Sequence, residues 1–319
     1  MSFAPGLNFL VIWCSFRNEP FRSARRFAAA VFVRGSSGVA CFPYFHMSSM
    51  NYVNIDGVSL ELAHVAAPTR AGDALTPLVF LHEGLGSVAM WRDWPASLCA
   101  QTGRAGWVYS RQGYGKSDPV KDVRGEHRLH ADGTRSGRLQ PDYMHREARD
   151  VLPKLLSELG IERPVLVGHS DGATIALLHA ARHPVSACVV MAPHVMVEDI
   201  SLRSIEEARQ AYEGGDLRQR LSRYHDDVDV AFWQWNDVWL SEAFRDFDVR
   251  KECAAISAPL LAIQGVDDPY GTMAQIDDLA RAVSHARRVP LAKCGHSPHR
   301  DQPEAVNAAI VEFLRESST

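Results

Sequence analysis

Residues 164–172 read Pro-Val-Leu-Val-Gly-His-Ser-Asp-Gly, an apolar run that stops at a serine with a glycine two residues to either side. A small-residue helical stretch, Ala173 to Ala181, follows at once. Strand, sharp turn and helix with a serine at the apex is the arrangement that lifts a hydroxyl above the end of a sheet. Gly168 and Gly172 suit it, because a Cβ at either position would press on the neighbouring strand or helix. The start of the helix aims free N–H groups and its positive dipole end at the hydroxyl. The chemistry this spacing points to is nucleophilic attack by Ser170 on a carbonyl carbon.

A serine hydroxyl attacks only if a base takes its proton, and the base needs an acid to orient it. After such a turn the expected chain order is serine, acid, histidine. Downstream, the apolar run Pro259 to Gln264 ends in Gly265-Val266-Asp267-Asp268. A carboxylate just past the end of a strand lies at the rim where α/β sheets keep their sites, so Asp267 and Asp268 compete. One helix (Met273 to Val283) and one strand (Arg287 to Leu291) later come Gly295-His296-Ser297-Pro298-His299. His296, on the turn, is the base by its place in this order. His299 is the competitor, and its position suits the start of the final helix. The base takes the serine proton and later returns it to the leaving group.

The tetrahedral intermediate needs two N–H donors. One is the backbone N–H of Asp171. The other comes from the loop His82-Glu83-Gly84-Leu85-Gly86-Ser87, which follows the strand Pro77 to Leu81. Gly84 is the expected donor and Leu85 the runner-up, while His82 braces the loop.

With these motifs in this order, together with Ser110-Arg111-Gln112-Gly113-Tyr114-Gly115-Lys116-Ser117, the chain resembles the α/β-hydrolases over about residues 51 to 317. The resemblance implies a mostly parallel eight-stranded sheet with helices on both faces and a helical cap. It selects Ser170, Asp268 and His296 as the triad and calls for no cofactor and no metal. The chain departs from the family at Glu83, which replaces a glycine of the oxyanion loop. Glu83 is expected either near the substrate or as a partner of Arg111 or His82, the pairing being preferred because a carboxylate beside an oxyanion opposes catalysis. Ser110 stands where relatives often carry Asp, which alters local hydrogen bonding. The Ser-Asp pair of the elbow is similar to that of valacyclovirase-like hydrolases, which implies recognition of an amine by Asp171. The alternative is that Asp171 caps the helix.

The elements around these residues alternate as strand and helix. Trp91 to Gln101 and Tyr143 to Leu159 read as helices, and Trp107 to Tyr109 and Ala187 to Met191 as strands, with a polar loop over 116–140. Residues 195–252 break the alternation with helical stretches rich in Phe and Trp and are expected to form the cap. The core is expected from 51–194 and 253–319. Most cap aromatics pack on one another, and Trp235 is expected to face the pocket. His169, His194, Leu85 and Tyr270 are further candidates for touching the substrate, and Glu198 lies with His194 at the sheet–cap junction.

With 319 residues, 23% charged and 46% hydrophobic, the composition is that of an ordinary globule. The net charge of −4 gives no reason to expect nucleic acid as a partner. The first 46 residues hold five Arg and one Glu, and so carry +4 against −8 for the rest. Residues 1–50 are read as an extension, either disordered or preceding a true start at Met47 or Met50, with the folded part beginning at Tyr52. Phe9 to Trp13 is too short an apolar run to span a membrane. The six cysteines show no paired spacing, which suits reduced thiols in the cytoplasm. His127, His130 and Asp132 cluster in sequence without a further ligand pair. The expected partner is a small, mainly apolar carboxylic ester, with an aminoacyl ester or amide, a thioester or a C–C bond as alternative targets and a non-catalytic small-molecule-binding protein on the same fold as the alternative of another class; the oligomeric state is not legible.

Overall fold

The computed structural model describes residues 30–35, 38–43, 48–69, 72, 75–132 and 134–317. The chain divides into two units, residues 1–46 and 47–319. In the first, β1 (Ala30–Gly35) pairs antiparallel with β2 (Gly38–Pro43). The readings of residues 1–29, and of side chains up to residue 50, lie outside the described residues.

The second unit is built on eight strands. β3 (Ser48–Ile55) begins before Tyr52 and turns at Asp56-Gly57 into β4 (Val58–Val65). There follow β5 (Leu78–Leu81), β6 (Gly106–Tyr109), the two-residue pair β7 (Arg128–Leu129) and β8 (Arg135–Ser136), β9 (Val165–His169), β10 (Ala187–Met191), β11 (Leu260–Gly265) and β12 (Arg287–Leu291). The sheet order is β12-β11-β10-β9-β5-β6-β4-β3, parallel from β12 to β6 and antiparallel at the β3–β4 edge. The small pair β7–β8 forms within the stretch expected as plain loop.

β9 shows why such strands read as unbroken apolar runs. Leu166 joins the core on one face, while Val165 and Val167 join the core on the other. Both faces are covered, so alternation disappears. One cover is α1 (Trp94–Thr102) with the C-terminal helix α11 (Pro303–Glu316), through Leu98, Cys99, Ile310 and Phe313. The other is α2 (Tyr143–Arg146), α3 (Leu152–Glu158), α4 (Asp171–Ala180) and α9 (Ala274–Ala282). The helix expected over Tyr143 to Leu159 is interrupted by a π-helical turn at Glu147–Val151. Pro153 has no N–H to give the carbonyl of Arg149, and the ladder widens where that bond is lost.

Between β10 and β11 the chain runs through α5 (Asp199–Gly214), α6 (Leu217–Leu221), α7 (Val228–Trp239) and α8 (Arg250–Cys253). Its aromatics are mostly its own core. Tyr212 stacks on Phe232 at 3.7 Å, and Phe244 contacts Trp239 and Phe247 at 4.8 and 4.7 Å. Asp227 caps α7 by accepting from the N–H of Val230 at 3.0 Å.

The turn after β6 is held by a buried carboxylate from β4. Glu61 is 1% exposed. Its Oε2 accepts from the Ser110 hydroxyl at 2.7 Å and the Lys116 N–H at 3.0 Å, and Ser110 Oγ accepts from the Val88 N–H at 2.9 Å. The acid missing at position 110 is thus supplied by the neighbouring strand. A side chain at Gly115, whose φ is +59°, would meet Glu61 Oε2. Replacing Glu61 by Ala strands the Ser110 hydroxyl and the Lys116 N–H in a closed site, at about 2–3 kcal/mol. Urea unfolding of Glu61→Ala is expected to show that loss; a loss under about 0.5 kcal/mol would refute the assignment.

Candidate active site

Ser170 stands between β9 and α4 with φ 53° and ψ −119°, a conformation that costs a non-glycine residue about 1–3 kcal/mol. The surrounding backbone enforces it. A Cβ at Gly168 would lie 2.4 Å from the Gly172 carbonyl oxygen, and one at Gly172 would lie 2.1 Å from that of Leu81. The start of α4 therefore approaches the ends of both β9 and β5 more closely than any larger residue permits.

Three candidate groups from three strand ends meet here. His296 Nε2 lies 3.0 Å from Ser170 Oγ. Its Nδ1 faces Asp268 Oδ1 and Oδ2 at 2.9 and 2.8 Å. A carboxylate only accepts, so Nδ1 carries the hydrogen and the Nε2 lone pair faces the serine hydroxyl. Asp268 also accepts from Gln264 Nε2 and from the Tyr270 N–H, each at 2.8 Å. Burial alone would raise the Asp268 carboxyl; the hydrogen bond and charge of His296 outweigh it and hold the group below its ordinary value. Such an arrangement can take a proton from Ser170 and stabilise the imidazolium that results. Asp267 sits exposed on the turn and uses its backbone N–H on the Cys294 carbonyl.

His299 does not reach Ser170. It is 2% exposed, wedged between Trp91, Trp94 and His169, and neither ring nitrogen has a partner. Burial pushes its pKa well below the ordinary value.

The loop after β5 is oriented through one peptide plane. The Glu83 carbonyl accepts from His82 Nδ1 at 2.7 Å, Arg111 Nη2 at 3.0 Å and the Gly86 N–H at 3.0 Å. His82 Nε2 in turn accepts from the Arg111 N–H at 3.0 Å, so the ring hydrogen is on Nδ1. Across a trans peptide the N–H of Gly84 points opposite to that carbonyl. Leu85 is pinned differently: its carbonyl accepts from His225 Nε2 at 3.0 Å, while His225 Nδ1 accepts from the Gly115 N–H. His225, on the helical segment, went unnoticed in the sequence because nothing local marks it.

The Glu83 side chain corrects the expected pairing with Arg111 or His82. Its carboxylate lies 3.3 Å from His169 Nδ1 and accepts from Arg300 at 3.4 Å. His169 Nε2 donates to the His296 carbonyl at 2.6 Å. His169 thus ties the Glu83 loop to the backbone of the candidate base. Burial would raise the Glu83 carboxyl, but the hydrogen bond and charge of His169, with Arg300, hold it well below the usual range.

Asp171 fits neither sequence expectation. Its side chain does not cap the helix: Oδ1 has no partner and Oδ2 is taken by Tyr143. It is fully buried, with Oδ2 accepting from the Tyr143 hydroxyl at 2.6 Å and lying 4.0 Å from the Arg111 guanidinium. Trp239 Nε1 completes the chain by donating to the Tyr143 oxygen at 3.0 Å.

Trp235 lies against Gly84: a Cβ there would fall 2.2 Å from the indole Nε1. His194 is buried beside His296 and Trp239, with ring centroids 5.7 and 4.9 Å away, and burial pushes it down to about 3. It is a neutral ring at working pH. The Tyr270 ring lies 4.7 Å from that of His296. Glu198 is spent at the junction, accepting from Thr272 and from Gln275 Nε2 at 2.7 Å. His127 and His130 bond within the 126–138 loop, to the Arg138 carbonyl and to Ser136 Oγ.

The family model described as alpha/beta hydrolase family matches residues 78–309. The chain is 24% identical to the AB hydrolase superfamily protein YisY of Bacillus subtilis over 190 residues, 51% of this chain and 71% of that protein. It is 24% identical to the sn-1-specific diacylglycerol lipase ABHD11 of Mus musculus over 273 residues, 76% of this chain and 82% of that one. Among solved structures it is similar to an enol-lactonase from Burkholderia xenovorans, with a TM-score of 0.61, 21% identity, and 83% of this chain and 100% of that one covered.

Two outcomes follow from this geometry. Ser170→Gly removes the strain at φ 53° and is expected to be about 1 kcal/mol more stable than Ser170→Ala in urea; equal stability would mean that the turn is unstrained. For Glu83, a folded pKa held well below the ordinary carboxyl value of 4.5 means that the stabilisation is complete above that pH and is lost as pH falls through the folded value. Glu83→Gln is therefore expected to be about 2 kcal/mol less stable at pH 7 and to lose less than the wild type on acidification. Parallel acid profiles would dismiss the His169–Glu83 bond as a source of stability.

Proposed function

The chain belongs to the alpha/beta hydrolase family, and we propose that it is a serine hydrolase cleaving a carboxylic ester of a small, mainly apolar substrate through an acyl-enzyme on Ser170. The observation that carries this reading is the 3.0 Å approach of His296 Nε2 to Ser170 Oγ, with Asp268 on the far side of the ring.

His296 takes the hydroxyl proton as Ser170 Oγ bonds to the carbonyl carbon. The N–H groups of Asp171 and Gly84 receive the oxyanion. The imidazolium, balanced by Asp268, gives its proton to the departing alcohol, and the C–O bond of the ester breaks. A water then repeats the sequence: His296 removes its proton, the hydroxyl adds to the acyl carbon, and Ser170 leaves with the proton returned. No step calls on a redox group. Trp235 against Gly84, with Trp239 and Leu85 nearby, suits an apolar acyl or alcohol part. The stretch 195–252 acts in this reading as a cap over the core formed by 51–194 and 253–319. Among the described residues no helix is long and apolar enough to cross a membrane. The enclosure of Asp171 speaks against the aminoacyl-ester alternative. A protein that only binds on this fold would not need the Ser170–His296–Asp268 alignment.

Steady-state hydrolysis of p-nitrophenyl acetate, butyrate and octanoate tests the proposal. Ser170→Ala is expected to lower kcat/KM by about 10^3-fold or more, and Asp268→Asn by a similar order. Wild-type turnover that survives in Ser170→Ala would sink the serine mechanism.

A further inference from the structure

Gly84 and Leu85, in the loop after β5, are both touched by the segment between β10 and β11. Trp235 of α7 lies against Gly84. His225, between α6 and α7, reaches the Leu85 carbonyl with Nε2 at 3.0 Å. Its Nδ1 lies 2.9 Å from the Gly115 nitrogen. Only one form of the ring satisfies both partners. A carbonyl only accepts, so Nε2 carries the hydrogen, and a backbone N–H only donates, so Nδ1 keeps its lone pair. The bridging ring is therefore neutral. Burial pushes its pKa below the ordinary value, against the charges of Glu83 and Asp226. The ring is 5% exposed, and bonds so shielded from water are strengthened.

The far end of the bridge is anchored. Gly115 gives its N–H to His225 and takes the Asp226 N–H on its carbonyl at 2.9 Å. The next residue, Lys116, gives its N–H to the buried carboxylate of Glu61. A run of hydrogen bonds thus leads from β4 through the turn after β6 and His225 to Leu85. In the loop, the Glu83 carbonyl fixes the peptide that carries the Gly84 N–H. The Leu85 carbonyl, on His225, fixes the peptide that joins Leu85 to Gly86. The peptide between them, which carries the Leu85 N–H, is held from both sides.

We propose that His225 is a positioning residue: by holding the Leu85 carbonyl it keeps the loop after β5 in the conformation that offers its N–H groups to the oxyanion. The role toward the oxyanion rests on the ester-hydrolase reading. The ordering of the loop by His225 does not depend on it.

Two substitutions separate the two bonds. In His225→Asn the amide oxygen can take the place of Nδ1 and accept from Gly115, and the donor to Leu85 is lost. In His225→Gln the amide nitrogen can take the place of Nε2 and donate to Leu85, and the acceptor for Gly115 is lost. With p-nitrophenyl butyrate, kcat is expected to fall about tenfold in His225→Asn and His225→Ala, with KM little changed, and to be largely kept in His225→Gln. A role in stability alone would lower Tm in all three and leave kcat of His225→Asn and His225→Gln alike; that result would overturn the catalytic role. Amide hydrogen exchange of Gly86 and Val88 reads the loop without any substrate, and is expected to be faster in His225→Asn than in His225→Gln. Equal rates would overturn the ordering of the loop. Should the variants not fold, the imidazole 15N shifts of the wild type decide: hydrogen on Nε2 alone is expected, and hydrogen on Nδ1 would overturn the bridge. If the wild type cleaves no ester, the ester-hydrolase reading fails and the catalytic role with it, while the exchange rates still decide whether His225 orders the loop.

Discussion

Everything in the site hangs on the close approach of β9 and α4 at Ser170. No residue with a side chain fits at 168 or 172, because backbone oxygens already occupy the space where a Cβ would go. The turn between them is forced to φ 53°. The sheet core on either side holds β9 in register with β5 and β10, so the turn cannot relax by letting the strand slide. The strain is carried by the apolar layers, and its product is a hydroxyl lifted clear of the helix that follows. The partners then need only arrive at neighbouring strand ends. β11 delivers Asp268 and the turn after β12 delivers His296.

Around that turn the chain buries charges in pairs drawn from far apart. Glu61 reaches from β4 to the turn after β6, and Glu83 takes His169 and Arg300. Asp171 takes Tyr143 and Arg111. Each carboxylate ends up on a donor from a segment that must not move during chemistry. The Glu83 peptide is the clearest case, with three donors on one carbonyl. Fixing that oxygen fixes the direction of the opposite N–H, that of Gly84.

The fold and the candidate nucleophile, acid and base were legible because their signals are local. Apolar runs of strand length, a serine between glycines and an Asp or His just past a strand can all be read within ten residues. The side-chain roles of Glu83 and Asp171 were not, because their partners are 86 and 28 positions away. His225, bridging Leu85 and Gly115 across 140 and 110 positions, gave no sign at all. The π-helical turn at Glu147–Val151 could have been suspected from Pro153. The helical segment was recognised from broken alternation, and Trp235, singled out among its aromatics, lies against Gly84.

The carboxylate of Glu61 has a consequence for how the sequence can change. Ser110 and Glu61 occupy one sealed space in which a single negative charge organises the turn. An acid at both positions would set two buried carboxylates in contact, and an acid at neither would leave the turn without its anchor. Positions 61 and 110 therefore cannot drift one at a time. A descendant carrying Asp at 110 must surrender Glu61 in nearly the same step, which makes the two sites, 49 residues apart along the chain, a single heritable unit.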